Sequence, residues 1–191
     1  SRSGMREVKK FGFLTVFDTN IETGTNFLSA PSHISKVNVN MDYAGDDYIY
    51  NKKGIDLYSN HHDTPVLRIR EQKGKIIFTL KKNRSNELDC IEKELEVKDK
   101  NILNDILELL DYECNVEVHK KRIKTNYNEY EICLDEVDGL GSYIEVEKMS
   151  VEDGEKIQNE LFDFLQTLGI LKEDRVLNGY DTLIWMKNND K

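Results

Sequence analysis

Two short runs carry acids at alternate positions: Glu94 and Glu96 in Glu92-Lys93-Glu94-Leu95-Glu96-Val97, and Glu145 and Glu147 in Tyr143-Ile144-Glu145-Val146-Glu147. Three more carry bases in the same rhythm: Leu67-Arg68-Ile69-Arg70, Phe78-Thr79-Leu80-Lys81 and Val118-His119-Lys120-Lys121-Arg122-Ile123. Alternate side chains of an extended strand share a face, so each run shows ionic groups on one side and aliphatic groups on the other. A lone strand of this kind is most simply a solvated surface with cross-strand ion pairs. Its repetition argues instead for a sheet closed on itself, polar inside, with an apolar outside covered by helices. Such an interior suits a polyanion with metal ions. Hard divalent cations take carboxylate oxygens and bridge to phosphates, while Lys and Arg neutralise the remaining charge.

The elements that must position these groups follow from periodicity and punctuation. A first short strand is expected around Arg6 to Leu14. From Asp18 to Asp46, the residues Gly24, Ser29, Pro31 and Gly45 interrupt every pattern, and the reading is an irregular segment with a short helix or short strand at Lys36–Met41. From Asp47 onward, alternating runs separated by Asn51-Lys52-Lys53-Gly54, Ser59-Asn60, Lys73-Gly74 and Lys82-Asn83-Arg84-Ser85-Asn86 predict an antiparallel meander. Two helices interrupt it. Asp99 to Leu110 has an apolar stripe of Ile102, Leu103, Ile106, Leu107 and Leu110 with Asp99 as N-cap. The second starts at a capping box of Ser150 and Asp153, carries Ile157, Leu161, Phe164, Leu165 and Leu168, and stops at Gly169. Both stripes need a hydrophobic sheet face, which the outward Leu, Ile and Val residues supply.

The 191 residues fit one domain, expected over 5–191, with Ser1-Arg2-Ser3-Gly4 ahead of Met5 read as a cloning scar. A net charge of -9 disfavours a nucleic-acid duplex or an anionic membrane as partner, since both require an excess of exposed cations. Cys90, Cys114 and Cys133 are odd in number and widely spaced, so neither a disulfide framework nor a zinc site is indicated. With no apolar run of membrane-spanning length and no leader pattern, the expected location is cytoplasmic. His61 and His62 are adjacent and face opposite ways, which makes a poor chelate; His119 alternates away from Lys120. Trp185 reads as a packing residue.

The ordered set resembles the CYTH superfamily, the triphosphate tunnel metalloenzymes. It runs from Arg68-Ile69-Arg70 through Thr79-Leu80-Lys81, Glu94-Leu95-Glu96, a helix and Lys120-Lys121-Arg122 to Asp135-Glu136-Val137, Gly139-Leu140-Gly141 and Glu145-Val146-Glu147. The ending is most similar to the class IV adenylyl cyclase branch. The resemblance implies an α+β fold: an eight-stranded antiparallel closed β-barrel, or tunnel, with helices packed outside. It implies Mg2+ or Mn2+ as cofactor, held by Glu7, Glu94, Glu96, Asp135, Glu145 and Glu147. It implies phosphate binding by Lys9, Arg68, Arg70, Lys81, Lys120 and Arg122, with Glu7, Lys9, Lys120 and Arg122 in catalytic roles. Three positions depart from the family pattern. Met5 stands where Glu-x-Glu-x-Lys has its first Glu, Glu92 replaces an Arg, and Asn178-Gly179-Tyr180 replaces Arg-Ser-Tyr.

Three functions stay open. A cyclase would convert a triphosphate such as ATP to cyclic AMP and pyrophosphate. A triphosphatase would hydrolyse a nucleoside, thiamine or inorganic triphosphate. A binding module would hold the triphosphate without turnover. The expected partner is thus a small-molecule triphosphate, with no membrane or duplex and with homodimerisation an open option.

Overall fold

The structure is a computed structural model that describes residues 9–16, 38–55, 65–86, 89–150 and 154–189, with backbone alone for 9–16, 38–43, 83–86, 89–90, 154 and 172. Nine strands are described: β1 (Lys9–Val16), β2 (Asn38–Lys52), β3 (Val66–Gln72), β4 (Lys75–Asn86), β5 (Asp89–Val97), β6 (Tyr112–Tyr127), β7 (Tyr130–Val137), β8 (Gly141–Ser150) and β9 (Arg175–Val176). Three helices accompany them: α1 (Lys100–Leu109), α2 (Gly154–Thr167) and α3 (Tyr180–Asn189). The strands form one antiparallel sheet in the order β5-β4-β3-β2-β6-β7-β8-β1-β9. The sheet curls, because β1 pairs along its length with β8 and also with β5 at Lys10↔Cys90 and Phe11↔Asp89. The fold is therefore α+β, a curled antiparallel sheet with three helices.

Local chemistry sets the turns. Lys73 and Gly74 join β3 to β4 with φ of 52° and 72°, the left-handed pair that a two-residue hairpin needs to match strand twist. At the start of α1, the Asp99 carboxylate accepts from the backbone N–H of Asn101 at 2.9 Å and of Ile102 at 3.1 Å, satisfying donors that lack an intrahelical partner. The Ser150 of the expected capping box is the last residue of β8, and Asp153 lies outside the described residues.

The aliphatic halves of the alternating strands bury the two expected helices. Ile157, Leu161 and Leu165 of α2 pack on Ile132, Ile144 and Val146 of β7 and β8. Leu103 and Leu107 of α1 pack with Tyr50, Leu67 and Ile69, flanked by Ile76, Phe78 and Leu80. These residues define the outer face. The third helix was not anticipated. Tyr180, Leu183, Ile184 and Trp185 of α3 pack with Ile49, Val116, Val118, Val137 and Tyr143, which belong to the other, inner face. Trp185 is a packing residue, as its sequence context suggested.

Of the short helix or short strand expected at Lys36–Met41, the strand is what the described residues 38–41 form, and it runs on through Asp46 as part of β2. Gly45 does not end the strand because β3 and β6 both hydrogen-bond to β2 there, at Gly45↔Gln72 and Gly45↔Lys120, and tertiary pairing outweighs local propensity. The remainder of that segment lies outside the described residues. So do Met5, Glu7, His61 and His62. No helix among the described residues is long and apolar enough to cross a membrane.

Candidate active site

Directly opposed residues in an antiparallel ladder point to the same face. The ladders run Arg68↔Thr79↔Glu94, Ile77↔Glu96 beside Asp47↔Arg70, and Val66↔Lys81↔Glu92. They continue as Gly45↔Lys120↔Val137, Arg122↔Asp135↔Tyr143 and Cys133↔Glu145. The expected cations Arg68, Arg70, Lys81, Lys120 and Arg122 thus share the inner face with Glu94, Glu96, Asp135, Glu145 and Glu147. His119 lies on the outer face, where its Nδ1 is 2.8 Å from Asp46 Oδ1.

The tightest cluster centres on Arg122 of β6. Its Nε donates to Asp135 Oδ1 at 2.6 Å, and its Nη2 donates to Asp135 Oδ2 and, at 2.6 Å, to Glu145 Oε2. The same Asp135 Oδ2 also accepts from the Tyr180 hydroxyl at 2.6 Å. Arg122, Asp135 and Tyr180 are all buried. Burial opposes the charge on Arg122, but Glu145 and Asp135 outweigh it and hold the guanidinium protonated well beyond its ordinary range. Burial, then the nearby Glu145 and Asp135 charges, push the Tyr180 phenol far above its usual range, so it keeps the proton it donates to Asp135.

A second cluster lies across β2. Arg70 grips Asp47 with two bonds, Nε to Oδ1 at 2.6 Å and Nη2 to Oδ2 at 2.9 Å. Lys120 Nζ stands 3.6 Å from Asp47 Oδ2 and 5.1 Å from the centre of the Tyr180 ring. Burial would raise the Asp47 carboxyl, yet Lys120 and Arg70 together hold it well below the usual carboxylate range. Lys120 moves down to about 8: burial is the largest cause, followed by repulsion from Arg122, with Asp47 resisting. In a third cluster Arg68 Nη2 donates to Glu94 Oε1 at 3.1 Å and Thr79 Oγ1 at 3.3 Å. Arg68 Nε is buried with no hydrogen-bond partner among the described residues.

Asp47, Thr79 and Tyr180 were missed in the sequence. Asp47 alternates with Gly45 and Ile49, so no ionic rhythm marks it, and only the pairing with β3 puts it opposite Arg70. Tyr180 did leave a signal, as the Tyr of Asn178-Gly179-Tyr180. For β1, the ladder pairs Lys9 with Ser150, Lys10 with Met149 and Gly12 with Glu147, so the register position in line with the Glu145 and Glu147 rows is that of Lys10. Glu96 pairs with Lys75 at 2.8 Å, both well exposed, at the rim of the inner face.

Among the described residues no three His, Cys, Asp or Glu side chains converge as a ready metal site. The donors present are nonetheless the hard oxygens that Mg2+ or Mn2+ prefers, and Mg2+ is commonly held by one or two carboxylates plus substrate phosphates rather than by an all-protein cage. Glu145 and Glu147, two residues apart on β8, fit that mode.

The curled sheet thus gathers five Lys and Arg side chains among carboxylates on its inner face, with two helices on its outer face and a third seated on the inner one. The chain belongs to the CYTH family: the CYTH domain model matches residues 44–180, well over half of its length. It is 27% identical over 156 residues, 76% of this chain and 89% of the other, to a Methanocaldococcus jannaschii protein named "Putative adenylate cyclase". Among solved structures, the PH1819 protein of Pyrococcus horikoshii superposes with a TM-score of 0.74 at 22% identity, covering 93% of this chain and 99% of that one. A Vibrio parahaemolyticus protein titled a putative adenylate cyclase superposes at 0.71 with 17% identity, covering 93% and 98%. These two structural likenesses establish the shared fold.

Proposed function

We propose that the short β1–β5 pairing completes a closed eight-stranded tunnel, and that this tunnel binds a triphosphate and carries out divalent-metal-dependent phosphoryl transfer in the manner of class IV adenylyl cyclases. The observation that carries the reading is the crowding of like charge. Lys120 and Arg122 are buried at alternate positions of one strand face with Arg70 nearby, and burial first, then repulsion from Arg122, brings the Lys120 ammonium down to about 8. A protein gains nothing in stability from such crowding, but an entering polyphosphate would relieve it.

In this reading Arg68, Arg70, Lys81, Lys120 and Arg122 bind phosphate oxygens; on β1 the register places Lys10, and not the expected Lys9, in the inner-face row beside them. Glu145 and Glu147, with Glu7, Glu94, Glu96 and Asp135 as further donors, hold Mg2+ or Mn2+. The ion, when bound, would neutralise phosphate charge and polarise the phosphorus under attack. Asp135 orients Arg122, Tyr180 orients Asp135, and Arg122 reaches toward Glu145, so phosphate cation and metal carboxylate are positioned by one connected set of bonds. For cyclisation, the ribose 3'-hydroxyl loses its proton to water as its oxygen attacks the α-phosphorus, the bond to the bridging oxygen breaks, and pyrophosphate leaves with its charge stabilised by the same cations.

A second reading is hydrolysis at the terminal phosphate. It is supported by the inner face itself: its buried rings, Tyr143 and Tyr180, pack edge-to-face on each other at 5.3 Å, which takes them out of use as stacking platforms for a base. The experiment is a panel of ATP, other nucleoside triphosphates, thiamine triphosphate and inorganic triphosphate, each with Mg2+ or Mn2+, in which cyclic product and pyrophosphate are separated from released phosphate. Cyclic AMP with pyrophosphate supports the cyclase reading. Phosphate release supports the hydrolase, and tight binding with no turnover supports a binding module.

A further inference from the structure

Thr79 of β4 has a hydroxyl where its strand needs none. The residue is fully buried, between Arg68 of β3 and Glu94 of β5 in the ladder Arg68↔Thr79↔Glu94. Valine has nearly the same shape, suits a strand as well, and would spare the cost of taking a hydroxyl out of water. The hydroxyl is instead fully used. It donates to Glu94 Oε1 at 3.0 Å and accepts from Arg68 Nη2 at 3.3 Å, and its one donor and two acceptor sites allow both at once. Arg68 Nη2 also reaches the same Glu94 oxygen at 3.1 Å, which closes a three-cornered set of bonds. The charged partners are less enclosed than the hydroxyl, with side-chain exposures of 15% for Arg68 and 47% for Glu94. An ion pair that open to water holds a long side chain weakly. A bond to a buried hydroxyl ties the guanidinium to the backbone of β4 instead. Arg68 Nε is buried and has no hydrogen-bond partner among the described residues, so the guanidinium, as held, still has a donor to satisfy. An anionic oxygen is the acceptor that suits it best.

We propose that Thr79 is a positioning residue for triphosphate binding: its buried hydroxyl sets the Arg68 guanidinium against Glu94, so that this cation is held in one orientation before the ligand arrives. The proposal rests on the reading of the inner face as a triphosphate site. Fixing a rotamer-rich side chain in advance raises affinity by removing the cost of ordering it on binding. Thr79 itself touches neither phosphate nor metal; its effect passes through Arg68.

Calorimetric titration of inorganic triphosphate into the full chain, with EDTA in place of divalent metal so that nothing turns over, tests this. Thr79→Val should weaken binding about tenfold, the worth of one bond to a charged group, while Thr79→Ser, which keeps the hydroxyl, should bind close to the native level. In an Arg68→Ala background the same Thr79→Val change should cost nothing further, because the two residues act as one unit. Thr79→Ala repeats the cycle if the Val variant has an altered circular dichroism spectrum. A folded Thr79→Val that binds as tightly as the native chain, while Arg68→Ala is impaired, overturns the proposal and leaves the triphosphate reading standing. A loss of equal size with and without Arg68 also overturns it, since that marks a purely structural role. A native chain that binds no triphosphate removes the reading and the proposal together.

Discussion

Lys120 is the residue whose environment most sharply constrains behaviour. Its ammonium loses its proton near 8 in the folded protein, against an ordinary value of 10.5. Between those two values the unfolded chain binds more protons than the folded one, so the Lys120 contribution makes the fold more stable as pH rises from about 8 toward 10.5. Urea unfolding at pH 7.5 and 9.5 should show this slope in the native protein and less of it in Lys120→Met. For ligand binding the sign reverses: a phosphate favours the charged lysine, so triphosphate affinity should fall as pH climbs past about 8, with proton uptake on binding. Lys120→Arg should bind with little pH dependence, as its guanidinium stays charged. Tyr180→Phe removes one donor from the buried Asp135 Oδ2, which keeps its bond from Arg122. It should lower stability by about 1–3 kcal/mol in the same unfolding measurement.

The elements divide between those that carry charge inward and those that cover apolar surface. Leu161 of α2 is fully buried on β7 and β8, so Leu161→Ala should cost about 2–5 kcal/mol by thermal or urea unfolding. Asp99→Ala should cost about 1 kcal/mol by removing the α1 cap. These elements were legible in sequence because helical and alternating periods mark them, although of the expected α1 stripe only Leu103 and Leu107 enter the core while Ile102, Ile106 and Leu110 are exposed. What escaped lacked a local pattern. Residues 183–186 of α3 are a continuous apolar run, without the polar face that marks a surface helix, because α3 seats on the inner face of the sheet. The Asp42–Asp46 part of β2, beyond the short strand offered at Lys36–Met41, is held by β6 and, at Gly45 and Asp46, also by β3, and pairing of that kind is invisible one residue at a time. The alternation gave the inner-face cations and the β8 carboxylates in advance, whereas the salt-bridge partner Asp47 depends on long-range register alone.

At the scale of the whole molecule, a chain of net charge -9 gathers five of its cations on one face of the sheet. The outer face packs helices and can be altered with loss of stability alone; the inner face pairs charges and should be altered with loss of ligand. Glu147→Gln should accordingly depress metal-dependent turnover more than it changes metal-free triphosphate binding, because the ion's charge matters most as the bond breaks. Parallel rate and binding measurements on that variant check the split. The most direct test is calorimetric titration of a nonhydrolysable triphosphate into the native protein and into Arg68→Ala, a site that keeps some solvent contact and whose loss should leave the fold intact. One saturable site per chain is expected, weakened by about 2 to 4 kcal/mol in the variant. Absence of binding to the native protein, or equal binding by a folded Arg68→Ala, would contradict the account.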